Sequence, residues 1–158
     1  MRTIALKGMG TVAVAVALGI AAAPGAGASV RVTGSGLGGF TSQDLPIVVK
    51  LSRDGHRIVH AGAALDLKCT SGDEFIAPDD YTSRRISRSG AFQAAAVLPA
   101  IDIGGGETAT YSSSISGRAN AARTIVSGTW RMTATFHDTS SGVDDVCRSG
   151  KVSFKVSR

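Results

Sequence analysis

The sequence predicts an all-β fold: an antiparallel β-sandwich of about eight short strands, with a closed β-barrel as the alternative, carrying one disulfide. Three observations point there. Two-residue alternation of apolar and polar side chains recurs beyond residue 29, whereas helical periodicity is hard to find. Glycine-, aspartate- and serine-containing turn signals separate the alternating segments. The chain has only two cysteines, Cys69 and Cys147, so if they pair there is one connectivity.

The first 28 residues stand apart. Arg2 and Lys7 precede an apolar run from about Met9 to Ala23, followed by Pro24-Gly25 and then the small residues Ala26 and Ala28. This is the pattern of a secretory signal peptide cut before Ser29, and the apolar run is short for a bilayer span. Residues 29–158 then form a single domain, with no stable membrane span after cleavage. An uncleaved anchor is the rival expectation. Export to an oxidising compartment permits Cys69 and Cys147 to pair. Closing a loop of that length is worth roughly 4 to 5 kcal/mol by chain entropy.

Along the exported part, Ile47–Ser52 and Arg57–Cys69 flank "RDGH", where Asp54-Gly55 suits a two-residue type I′ hairpin turn. On the second arm Val59, Ala61, Ala63, Leu65, Leu67 and Cys69 share a parity, which turns Cys69 toward the core. "TSGDEFIAPDDY" reads as a connection. Ser89-Gly90 then separates "RRISR" from Phe92, Ala94 and Ala96 as a second hairpin, and "LPAIDIGGGET" reads as another connection. "TYSSSIS" pairs with the next strand across "GRANAA". That strand, Val126 to Phe136, alternates most clearly: Val126, Gly128, Trp130, Met132, Ala134 and Phe136 on one face, Ser127, Thr129, Arg131, Thr133 and Thr135 on the other. "DTSSG" links it to the C-terminal segment, where Val152, Phe154 and Val156 alternate with Ser153, Lys155 and Ser157. Val143, Asp145 and Cys147 are odd-numbered while Val152, Phe154 and Val156 are even. One extra residue at Ser149-Gly150, a β-bulge, accounts for the slip.

Charge and motifs exclude more than they assign. The formal charge of +5 falls to +3 once Arg2 and Lys7 leave, because 15 basic residues then face 12 acidic ones. A mild, interspersed balance of this kind does not imply nucleic-acid binding. Two cysteines 78 positions apart make no zinc signature, and His56 and His60 straddle a turn end and a strand. No G-x-S-x-G occurs, and "RSGKV" lacks S-x-x-K spacing. Asp79-Asp80 and Asp144-Asp145 offer adjacent carboxylates but match no D-x-D-x-D-G calcium loop. The run Arg84 to Arg88 splits its charge between two faces if it is a strand. No catalytic, cofactor-binding or metal-ligating residue is therefore assigned, and Cys69 and Cys147 are the site residues as a disulfide.

The stretch "FTSQDLPIVVKLSRDGHRI", Phe40 to Ile58, resembles the opening of a family of secreted actinobacterial β-rich proteins. Thr41, Ser42, Gln43, Pro46, Ser52, Asp54, Gly55 and Cys69 carry the likeness, with Asp44 where glycine is usual. The closing "CRSGKVSF" is similar to that family's ending, with Arg148 in place of an acid. The resemblance implies export and a β-rich domain, and brings no activity or ligand with it. The expectation is an exported, non-catalytic protein, binding or structural at the cell surface or outside the cell, with a cell-envelope component as partner. The alternative is a secreted hydrolase using loop His and Asp residues. Trp130 is patterned inward and few other aromatics remain, which lowers the case for sugar stacking.

Overall fold

The computed structural model describes residues 36–138 and 141–158. The expected signal peptide lies outside the described residues. Nine strands follow one another: β1 (Gly36–Thr41), β2 (Pro46–Leu51), β3 (Arg57–Cys69), β4 (Glu74–Arg85), β5 (Ala91–Gly104), β6 (Glu107–Ala119), β7 (Ile125–Asp138), β8 (Val143–Arg148) and β9 (Val152–Ser157). Every pairing is antiparallel.

Six strands close a ring in the order β3-β2-β1-β9-β7-β8 and back to β3, so the barrel alternative describes the hydrogen bonding. The other three lie outside it: β4 adds to β3, β6 adds to β7, and β5 adds to β6. The ring closes because β3 and β7 are long enough to serve two partners on one edge. β3 pairs with β2 through Ile58 to Ala63 and with β8 through Lys68 and Cys69. β7 pairs with β9 through Ile125 to Trp130 and with β8 through Thr133 to Asp138.

The core follows the alternation. On β7, Val126, Trp130, Met132 and Ala134 are buried, and on β9 Val152, Phe154 and Val156 are buried. β4, outside the ring on one side, meets β5 and β6, outside it on the other. Tyr81 of β4 packs on Trp130 with ring centroids 5.5 Å apart, its hydroxyl 2.8 Å from Ser113 Oγ on β6. The Trp130 indole N–H donates to Asp79 Oδ2 of β4 at 2.6 Å, which satisfies a donor that would otherwise be buried without a partner. A cross-strand glycine pair, Gly117 and Gly128, lets β6 and β7 carry the rings of Phe92 and Phe154: a Cβ on Gly128 would sit 2.2 Å from the Ser116 carbonyl oxygen and 2.9 Å from Phe154.

Several local expectations change. The turn after β2 is not type I′: Gly55 has φ of 69° and Asp54 does not share it, because the Asp54 carboxylate caps the turn by accepting from Ser52 Oγ and His56 N–H. Val59 faces solvent and Ile58 the core, since a register shift at Lys50-Leu51 moves the alternation by one. The turn at Ser87–Gly90 forms, but its arms part, β4 going to β3 and β5 to β6, so it links the two end strands of the one sheet rather than a hairpin pair. The two stretches that read as connections, "TSGDEFIAPDDY" and "LPAIDIGGGET", are largely strand. Both belong to the outermost strands, where proline and charge are tolerated.

The expected bulge is present. Thr133 pairs with Arg148 and Trp130 with Val152, so Ser149, Gly150 and Lys151 lie opposite only Arg131 and Met132. Gly150 has φ of 66°, in the region glycine tolerates best. Ser149 holds the irregularity in place: its N–H donates to the Met132 carbonyl and its Oγ accepts from the Met132 N–H.

Candidate functional site

Cys69 and Cys147 are direct register partners on β3 and β8 and are disulfide-bonded, as expected. Beside them lies a cleft of about 330 Å³ whose lining includes Gln43, Asp66, Lys68, Thr70, Arg148 and Ser149. It exists because β2 leaves β3 after Ala63 and β8 joins only at Lys68. Gln43 fills the intervening gap as a piece of strand would. Its Nε2–H donates to the Asp66 carbonyl at 2.8 Å, and its Oε1 accepts from the Asp66 N–H at 3.0 Å. Nε2 also reaches the Ser149 carbonyl at 3.3 Å, so one amide joins β3 to the bulge.

The neighbouring residues of the motif serve the same seam. Thr41 Oγ1 accepts from the N–H groups of Gln43 and Leu45, and Ser42 pairs through its N–H and Oγ with the backbone of Ser153 on β9. Asp44 has φ of 58°, a conformation aspartate accepts more readily than most residues.

On the other side of the disulfide, Asp145 gathers the loop after β3. It accepts from Thr70 Oγ1 at 2.7 Å, from Ser71 Oγ at 2.7 Å and from the Ser71 N–H at 3.0 Å. Desolvation pushes its pKa up, but these bonds outweigh it and hold the carboxyl below its ordinary range. The carboxylate and the two sulfurs lie within 4.8 Å of one another, yet the sulfurs are bonded to each other and supply no thiolate ligand.

The paired aspartates do not act together. They sit in strands, where successive side chains leave opposite faces. Asp79 takes the Trp130 indole, while the Asp80 side chain leaves the other face; Asp144 meets His137 Nδ1 at 2.6 Å, while Asp145 turns to Thr70 and Ser71. The His137–Asp144 pair lies in the open at the β7–β8 end, and among the described residues no serine hydroxyl bonds a histidine ring. His56 is exposed and His60 lies over Gly62 on β3. The basic run is divided too: Arg84 lies over the Tyr81 ring at 5.6 Å, Ile86 is buried, and Arg88 is in the following turn.

A second concavity, of about 490 Å³, lies over β5, β6 and β7 and is lined by Gln93, Ala95, Ser114, Ser116, Thr129 and Arg131, among others. It is built by register: Gln93 faces Ser116 and Ala95 faces Ser114 across β5–β6, while Ser116 faces Thr129 and Ser114 faces Arg131 across β6–β7. Small side chains on β5 and hydroxyls on β6 leave a shallow trough with Gln93 and Arg131 at its sides. Sequence reasoning missed this trough, because its members lie on three strands and only pairing aligns them.

Neither a family model, nor a curated protein, nor a solved structure matches this chain. Among the described residues, no helix is long and apolar enough to cross a membrane.

Proposed function

We propose that this is an exported, non-catalytic domain that acts by binding outside the cell or at the cell surface. The observation that carries the proposal is the employment of the conspicuous polar residues. Thr41, Ser42, Gln43, Asp145 and Ser149 each bond to the seam of the barrel, which leaves them for structure rather than chemistry. Export is supported by the signal-peptide pattern of residues 1–28, by the likeness to secreted actinobacterial proteins, and by a disulfide that suits an oxidising compartment. The trough over β5–β7 is the surface for the ligand. Its hydroxyls, the Gln93 amide and the Arg131 guanidinium suit a polyhydroxylated or weakly anionic polymer of the cell envelope, held by hydrogen bonds rather than ring stacking.

The test is retention of residues 29–158 on cell-wall fractions and culture supernatant components across a salt series. Retention that survives high salt and is lost in Arg131→Ala is expected. No retention, or retention abolished by modest salt in every fraction, overturns the proposal, since screening removes only general charge attraction. The hydrolase reading is favoured by one observation, the His137–Asp144 pair. It requires a nucleophile or water brought there by a substrate, and turnover of any ester or glycoside lost in His137→Ala would replace the binding proposal.

A further inference from the structure

The two outermost strands differ in how they meet solvent. β4 carries Glu74, Asp79, Asp80, Arg84 and Arg85, with Pro78 in its middle and Ser83 at φ of 54°. These are the devices that keep an open strand edge from recruiting another chain. β5 has none of them from Ala91 to Leu98, "AFQAAAVL", which is uncharged and regularly paired with β6 on its other side. Val97 is 74% exposed and Leu98 50% exposed. Only at Pro99 does a protective feature enter, and there the β5–β6 register becomes irregular.

We infer that β5 is an interface with a second copy of this chain, formed by antiparallel pairing of Phe92–Leu98 with itself about a two-fold axis at Ala95. Such a pairing is isologous, so each contact is made twice. It sets Ala95 against Ala95, Gln93 against Val97 and Phe92 against Leu98, covering the strand's two exposed large apolar residues. Charge supports the self-match. The end of β5 at Ala91 is basic, with Arg88 in the preceding turn and Arg118 opposite Ala91; the far end carries Asp102 and then Glu107. A two-fold brings each basic end toward the partner's acidic end, whereas parallel pairing would set like charges together. Pro99 stops the ladder because it has no N–H to donate.

A single strand pair is a small interface of the weak, concentration-dependent class. It has a consequence for binding that does not depend on which ligand the trough takes. Gln93 and Ala95 border the trough, so two copies would align two troughs across a six-strand face, β7-β6-β5-β5-β6-β7.

The experiment is sedimentation velocity of residues 29–158 over a concentration series, with cysteine cross-linking. A dimer fraction that rises with concentration is expected, and Ala95→Lys, exposed in the monomer, reduces that fraction about tenfold or more by placing like charges opposite each other. Ala95→Cys forms a disulfide-linked dimer in air, while Leu98→Cys, whose partner is Phe92, does not. If Ala95→Lys fails to fold, as judged by its unfolding transition, Val97→Lys takes its place. A monomer at every concentration, or a dimer indifferent to these lysines, overturns the inference, as does a Leu98→Cys cross-link more efficient than Ala95→Cys. Binding of a foreign extended peptide to β5 in place of self-association also overturns it.

Discussion

Replacing Gln43 with alanine tests whether one side-chain amide completes the barrel. The substitution removes the two bonds to Asp66, 2.8 and 3.0 Å, and a longer one to the Ser149 carbonyl that shares the same nitrogen. A typical intramolecular hydrogen bond contributes about 1 kcal/mol net, so the two short ones amount to about 2 kcal/mol. The third adds little. The full cost of burying unpaired backbone groups is not reached, because the neighbouring cleft admits water to Asp66. Urea unfolding should therefore show a loss of about 2 kcal/mol at unchanged m-value, with faster amide exchange at Asp66. Gln43→Glu keeps the acceptor for the Asp66 N–H and loses the donor, so its Asp66 amide stays more protected than in the alanine variant. A loss under about 0.5 kcal/mol, the range of an ordinary surface change, with unaltered exchange at Asp66 would refute the strand-like role.

Three further outcomes follow from the same structure. Changing both Cys69 and Cys147 to serine should cost about 4.5 kcal/mol for a closed loop with a sequence separation of 78, read from unfolding with and without reductant. Gly128→Ala should cost about 2 kcal/mol or more, because its Cβ would collide with backbone on β6 and with the Phe154 ring, and calorimetry of the variant checks this. Asp145 has a folded pKa below its ordinary value of 3.8, so its contribution is complete above that value and disappears as pH falls through the folded one. The stability difference between the protein and Asp145→Asn, measured by denaturation at several pH values, should accordingly be widest near neutrality and shrink in acid.

Legibility in the sequence followed how local each cause is. β7 and β9 were plain because one face of each is buried along its length, so alternation records the core. The bulge was equally plain, since a change of parity between Cys147 and Val152 needs an extra residue. β1 leaves no signal in the sequence: "GLGGFT" buries only Leu37 and Thr41, and its glycines carry no pattern. β4 and the second half of β5 read as connections because Pro78, Pro99 and the paired aspartates look like turn chemistry, although an outermost strand accommodates them. Closure of the ring could not be read locally, because it depends on β3 and β7 each holding two partners end to end. The role of Gln43 was hidden for the same reason. Its bonding partners lie 23 and 106 positions away, and the gap it fills exists only after β2 and β8 have taken their places.

The bond between β1 and β9 bears on the timing of folding. Residues 38–41 find their partners at 154–157, so the ring stays open until almost the whole described chain is free to move in three dimensions. A chain emerging in order from the ribosome can form the β2–β3, β3–β4 and β6–β7 ladders early but has no stave for the seam. Closing such distant contacts is slow compared with local turns. Disulfide formation between β3 and β8 likewise joins halves that synthesis made far apart, 78 positions from one another.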